Sequence, residues 1–264
     1  MKLLSCINIL CIPTDYGANI RGASLAPSYI LDKLHSVNLF PKYSKIPCSL
    51  NIRKMYRDLY YDVFNTIDSK QFPLVLGGDH SISIASVSAA NDACKVNRKR
   101  LGVLWCDAHA DFNTIKTSPT GNIHGMPVAI LCGHTGNRFQ IGNYLSFDQF
   151  CYFGLRDVDS LELNRLQQFK YTEIIKVDDL DDWHRNFDKI YLSLDIDSID
   201  PSIAPGVSTP VKNGLTYEDI SEIILQLKNT NKLIGMDIVE YNPLQDTNNQ
   251  TQKLIIDLCE HIFE

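Results

Sequence analysis

The chain has 264 residues, with 25 Lys and Arg against 31 Asp and Glu and a formal net charge of −6. No basic block is available to track phosphates and no apolar run approaches transmembrane length, which argues against nucleic acid and membrane as partners. At this length, and with no stretch resembling a linker, one α/β domain over residues 1–264 is expected.

In chain order, Met1 to Cys11 has a faint secretory look, and Leu3-Leu4-Ser5-Cys6 looks like a lipoprotein cleavage box. Asn8 interrupts the apolar core and no small-residue cleavage site follows, so a first buried strand is the better reading. A glycine-rich turn through Arg21-Gly22-Ala23 leads to a helix opening near Ala26-Pro27, where proline has no intrahelical donor to lose. Helical spacing runs from Asn51 to Asp68, a strand follows at Phe72, and Ser81 to Lys95 reads as a small-residue helix packed close to the sheet. The strand at Leu101 is followed by a polar loop over residues 114–123, and a helix is expected from Ile123 to Leu131. Strands at Gln149 to Phe153 and Glu173 to Val177, a helix around Asp179 to Asn186 and a strand at Ile190 come next. Amphipathic helices from Thr216 to Lys228 and from Asn248 to Phe263 complete the order, the first opening on a capping-box pattern with Asp219 in the acidic position.

Strands alternating with helices predict a three-layer α/β/α sandwich around a mostly parallel sheet, with the strand ends at one rim. Cys6, Cys11, Cys106, Cys132, Cys151 and Cys259 lie in apolar runs without paired metal-ligand spacing, as reduced core residues of a cytoplasmic protein would. Cys106 is a weak candidate nucleophile, since it would point away from Asp107.

Four apolar strands run straight into polar residues of metal-ligand type: Gly77-Gly78-Asp79-His80-Ser81, Asp107-Ala108-His109-Ala110-Asp111, Asp195-Ile196-Asp197 and Asp237-Ile238-Val239-Glu240. One such segment alone would read as a strand end and a solvated loop; four of them can converge on a crevice at the carboxyl ends of the strands. If residues 107–111 stay extended, Asp107, His109 and Asp111 share a side at about 7 Å intervals, and two cations about 3.5 to 4 Å apart would fit between such ligands. Asp195 and Asp197 share a face while Ile196 turns into the packing.

Carboxylates this close resist ionising together unless a strong positive charge joins them, and a divalent metal is the economical source. The ligand-type set, His80, Asp107, His109, Asp111, Asp195 and Asp197, is rich in oxygen and favours Mn²⁺ over Zn²⁺. A water between two Mn²⁺ ions would ionise near neutral pH, and the cluster would attract a cationic substrate. Glu240 has the charge and shape to hold a guanidinium or amidinium, although a salt bridge at the sheet rim is as good a reading for it alone. His124 could pass a proton to a leaving amine, where a lone histidine would more often be an ordinary polar contact.

Together these four motifs, in order, resemble the ureohydrolase family, and within it arginase most, over a stretch from about Ile9 to the last helix. The resemblance implies an arginase-like fold and a Mn-dependent hydrolase cleaving L-arginine to L-ornithine and urea. It implies two Mn²⁺ per chain, one held by His80, Asp107, Asp111 and Asp195, the other by Asp107, His109, Asp195 and Asp197. It matches His124 to the family's proton-shuttling histidine and Glu240 to the guanidinium-facing glutamate. Asn113, Ser118 and Thr120 fall where arginase meets the α-carboxylate, Asp159 where it meets the α-amino group, and Thr209 keeps a hydroxyl facing the site. Ala204-Pro205-Gly206-Val207-Ser208 departs towards formimidoylglutamase, so agmatine, guanidinobutyrate and formimidoylglutamate stand as alternative substrates. A metal-binding homologue without turnover is the reading from a different class, and a zinc deacetylase fits less well because the ligands exceed what one Zn²⁺ uses. The chain lacks the extended tail of trimeric arginases, which leaves homo-oligomerisation open.

Overall fold

The computed structural model describes residues 7–36, 42–46, 51–136, 138–169, 171–174 and 176–263. Eight strands form one sheet: β1 (Ile7–Cys11), β2 (Lys42–Lys45), β3 (Phe72–Leu76), β4 (Leu101–Cys106), β5 (Phe150–Phe153), β6 (Thr172–Ile174), β7 (Lys189–Asp195) and β8 (Leu233–Val239). Their order across the sheet is β2-β1-β3-β8-β7-β4-β5-β6. Every pairing between these strands is parallel, so the sheet is more uniform than the mostly parallel one expected.

The helices are α1 (Ala26–Ser36), α2 (Ile52–Asp68), α3 (Ser83–Val96), α4 (Pro127–Leu131), α5 (Ser160–Phe169), α6 (Leu180–His184), α7 (Tyr217–Asn229) and α8 (Gln250–Phe263). Alternate side chains of each strand divide between them. Ile9, Leu74, Leu104, Leu192 and Met236 pack with α1, α6, α7 and α8. Val75 and Val239 pack with α2 and α3, and Val103, Trp105 and Tyr191 with α3, α4 and α5. Period-two alternation in strands buried on both faces therefore produces the three layers. None of the helices is long and apolar enough to cross a membrane, among the described residues.

Local chemistry sets the helix starts. Asn51 caps α2 by accepting from Lys54 N–H at 3.1 Å, and Met55, Tyr56, Leu59 and Val63 then fall on the buried side. Thr216 and Asp219 form the reciprocal cap expected for α7, with Asp in place of the usual Glu or Gln. Helix α3 is buried almost all round between α2 and the sheet, which is why its sequence is made of small residues.

Several expectations shift. No element is expected between the helix opening near Ala26-Pro27 and Asn51, yet residues 42–45 form the edge strand β2 beside β1; a short strand with Lys at both ends carries little apolar signal. The helix expected from Ile123 is a single 3-10 turn, Ile123–Gly125, then α4 from Pro127, which has no N–H to continue the first turn. The strand expected at Glu173 to Val177 is Thr172–Ile174. Cys11, Cys106, Cys132, Cys151 and Cys259 are unpaired thiols, all buried except the half-buried Cys132, whereas Cys6 lies outside the described residues.

Leu192 is fully buried in the middle of β7, between β8 and β4. Leu192→Ala is expected to cost about 2–5 kcal/mol, read as a lower midpoint in urea-induced unfolding.

Candidate metal centre

The chemistry-bearing residues follow the four adjacent central strands β3, β8, β7 and β4, at their carboxyl ends. His80 opens a 3-10 turn after β3, Asp107 follows β4, Asp195 ends β7, and Glu240 follows β8. This is the rim that right-handed crossovers create, so sheet topology alone brings together residues far apart in sequence.

Asp107 is the shared member of two groups of ligand atoms, His80 with Asp107 and Asp195, and Asp107 with His109 and Asp197. Its Oδ2 lies 3.1 Å from His80 Nδ1 and its Oδ1 3.4 Å from His109 Nδ1. His80 Nδ1 also faces Asp111 Oδ2 at 3.1 Å and Asp195 Oδ2 at 3.0 Å, while His109 Nδ1 faces Asp197 Oδ2 at 3.1 Å. All six ligand-type residues expected from the sequence therefore meet, but residues 107–111 do not run on as a strand. The chain turns at Asp107, whose Oδ1 accepts from His109 N–H at 2.7 Å, and Asp111 takes a left-handed φ of 49°. Asp195 likewise accepts from Asp197 N–H at 2.7 Å within a 3-10 turn, and Ile196 packs into the core as expected. Tight turns, not an extended face, aim these side chains.

The arrangement suits a cation. His80 Nδ1 and Asp111 Oδ2 are buried without a hydrogen-bond partner, although oxygen and nitrogen lone pairs converge on them. Burial works against charge on His80, yet Asp107, Asp111 and Asp195 together raise its pKa well above the ordinary range. Burial and then the Asp107 charge push Asp111 up to about 7, and burial followed by Asp197 and Asp107 raises Asp195 strongly. Without a metal, protons must take the place of the missing positive charge. The donor set, two imidazoles and four carboxylates, fits two hard or borderline divalent ions.

Behind His80 lies a group that sequence reading missed. The other ring nitrogen, Nε2, meets Ser193 Oγ at 2.9 Å, and Ser193 donates to Asp237 Oδ1 at 2.7 Å. Asp237 Oδ2 accepts from Ser83 and Ser86 of α3 at 3.0 and 2.6 Å. Asp237, grouped with the rim residues by sequence, thus sits inside β8 and orients a ligand from behind. The His80 ring also stacks on Trp105 at 4.2 Å between centroids, and Trp105 Nε1 donates to Asp107 Oδ2 at 2.9 Å. A hydroxyl and an indole nitrogen inside strands leave no spacing signal, which is why the sequence does not announce them.

In front of these ligands opens a cleft of about 160 Å³ lined by Asn113, Ser118, Thr120, His124, Asp159, Thr209 and Glu240 among others, so every expected substrate residue reaches it. Glu240 is buried with φ 62°, and its Oε1 accepts from His80 N–H at 2.8 Å and meets His124 Nδ1 at 2.9 Å. Burial opposes charge on both partners, but the pairing holds Glu240 below its ordinary range and raises His124 to about 9. Glu240 Oε2 is buried and unpartnered. Asn113 Nδ2 donates to Asp159 Oδ2 at 3.2 Å, and Thr209 Oγ1 donates to Asp197 Oδ2 at 2.9 Å. Asp157 and Glu162 also line the cleft and were not singled out from the sequence. Arg156 stands beside the acids, yet its guanidinium is taken up by carbonyls of Gly154, Asp197, Ser198, Val211 and Lys212, which staples three loops.

A family model described as the arginase family matches residues 5–264. Arginase of Staphylococcus aureus (strain COL) is 33% identical, over 100% of this chain and 98% of that protein. The chain belongs to the arginase family. Among solved structures, arginase from Bacillus subtilis superposes with a TM-score of 0.86 at 31% identity, covering 97% of this chain and 98% of that one. Entamoeba histolytica arginase in complex with L-ornithine gives 0.88 at 27% identity, covering 97% of each chain. The arginase-family assignment makes the chain a ureohydrolase and accounts for its metal-ligand groups.

Two predictions follow from the buried acids. Ser193→Ala frees the His80 ring and is expected to weaken Mn²⁺ binding about 10- to 100-fold by titration calorimetry, with the fold retained by circular dichroism. Burial and the Asp111 charge raise Glu162 from 4.5 to about 8 although Phe112 N–H donates to it at 2.7 Å. Between those values the folded metal-free protein holds a proton that the unfolded chain releases, so this residue's contribution to stability is complete below 4.5 and lost as pH rises to 8. In urea unfolding of metal-stripped protein, Glu162→Gln should therefore gain on the wild type from pH 4.5 to 8, and parallel pH profiles would contradict it.

Proposed function

We propose that the chain hydrolyses L-arginine to L-ornithine and urea with two Mn²⁺ ions, one held by His80, Asp107, Asp111 and Asp195 and the other by Asp107, His109, Asp195 and Asp197. When bound, the ions supply positive charge and lower the pKa of water, providing hydroxide near neutral pH. The observation that carries the substrate reading is Glu240: Oε1 is taken by His124 and the His80 backbone, whereas the buried Oε2 has no partner and is free to accept a guanidinium N–H.

His124, whose pKa is raised to about 9, carries a proton at neutral pH and is the group that delivers it to the leaving amine. The cleft continues from there towards Ser118 and Thr120. Ser118 Oγ accepts from Gly121 N–H at 2.9 Å and Thr120 Oγ1 from Asn122 N–H at 3.2 Å; the two hydroxyls also meet each other at 3.4 Å, so one proton is shared between them and the other can be donated to an anion. With the second N–H of Asn113 they suit an α-carboxylate, and Asp159 suits an α-ammonium group. Thr209, tied to Asp197, bounds the guanidinium end. Agmatine has no carboxylate to use these donors, so arginine is favoured. Several buried unpaired thiols support a reducing compartment such as the cytoplasm.

Urea release from arginine and agmatine, with and without added Mn²⁺, tests the reading. Mn-dependent release with kcat/KM at least about tenfold higher for arginine is expected, the loss of polar contacts being worth 1.4 kcal/mol or more. Preference for agmatine, guanidinobutyrate or formimidoylglutamate, or no urea from the Mn-loaded protein, would overturn it.

A further inference from the structure

Asp79 belongs to neither ligand group, yet it is fully buried next to His80 in the chain. Its Oδ2 accepts from Gly17 N–H at 2.9 Å, and its Oδ1 accepts from the N–H of Ser81 at 3.0 Å and from the Ser81 hydroxyl. The Ser81 hydroxyl in turn receives the phenol of the buried Tyr56 from α2. Asp79 N–H donates to Thr14 O at 2.9 Å, so residues 14–17 and 77–81 are interlocked. Glycine is required on both sides of the contact: a Cβ on Gly78 would strike Thr14 O, and one on Gly17 would strike Asp79 Oδ1.

What this contact holds is His124. Residues 119–125 form a loop and a single uncapped 3-10 turn. Among the described residues, the one backbone hydrogen bond tying that stretch to another part of the chain is His124 N–H to Gly17 O at 3.1 Å. Gly17 thus gives its N–H to Asp79 and its carbonyl to His124. The ring then reaches Glu240, whose own N–H donates to Gly78 O and whose Oε1 accepts from His80 N–H.

We infer that Asp79 is a positioning residue for His124, acting through Gly17 to keep the imidazole in register with Glu240 and with the leaving amine. This rests on the arginine-hydrolase reading above. A misplaced proton donor slows only a step that needs its proton, and an error of about 1 Å can cost on the order of 10²-fold. The defect should therefore depend on the leaving group. An isothiourea analogue of arginine, with sulfur in place of the bridging nitrogen, takes up water and breaks its carbon–sulfur bond to give urea and a thiol. The sulfur departs as thiolate without prior protonation.

The test compares wild type, Asp79→Asn and Gly17→Ala, which disturb the same contact from opposite sides, on both substrates, with bound Mn²⁺ measured in each preparation. Expected is a fall in kcat for arginine of at least about tenfold, with KM within about threefold and turnover of the isothiourea within about threefold of wild type. The double variant should cost no more than the worse single one, since both act at one contact. Equal losses on the two substrates at full metal content, unchanged kcat for arginine, or additive losses in the double variant would overturn the inference. Should Asp79→Asn fail to fold, Gly17→Ala carries the same substrate comparison by itself. The wild type's own turnover of arginine reports separately on the underlying reading, which stands even if both variants behave as wild type.

Discussion

Buried carboxylates are held in place here by the backbone of the chain that carries them. Asp107, Asp195, Asp197 and Glu240 each accept a main-chain N–H, from His109, Asp197, Ala108 and His80 respectively, and Asp79 and Glu162 do the same with Gly17 and Phe112. Charge buried this densely is costly unless each oxygen is met by a donor or a cation. The short turns after β3, β4 and β7 supply the donors, and they leave Asp111 Oδ2 and Glu240 Oε2 unmet. Two buried acids differ among the described residues: Asp237 is satisfied by three serine hydroxyls inside the layers, and Asp111 leaves Oδ2 without a hydrogen-bond partner.

Much of this was legible in the residues themselves. Alternation and capping mark the strands and the long helices, and four strands ending in ligand-type side chains predict one rim of convergence. Where reading failed, the reason was local. An extended run over residues 107–111 would put three ligands on one side by period two; a turn at Asp107 and a left-handed Asp111 reach the same convergence by another path. Strand β2 was invisible because an edge strand of four residues with two lysines has no buried alternation to display.

The supporting layer was harder to see, for a different reason. Ser83 and Ser86 read as small residues of a helix packed close to the sheet, but their hydroxyls and that of Ser193 in β7 also satisfy Asp237, and Ser193 orients His80. Arg156, past the end of β5, gives its guanidinium to backbone carbonyls of three loops. Such roles depend on which strands become neighbours, and order across a sheet is not written in any single segment. The left-handed backbone at Glu240 is of the same kind, lying where the chain leaves β8 and its N–H meets the Gly78 carbonyl.

Asp107 offers one oxygen to each imidazole, and Trp105 and the His109 amide clamp the two oxygens from opposite sides. The carboxylate therefore cannot swing to improve one half of the centre without abandoning the other. The two halves are mechanically a single part: a replacement at this position cannot retune the surroundings of one imidazole without disturbing those of the other.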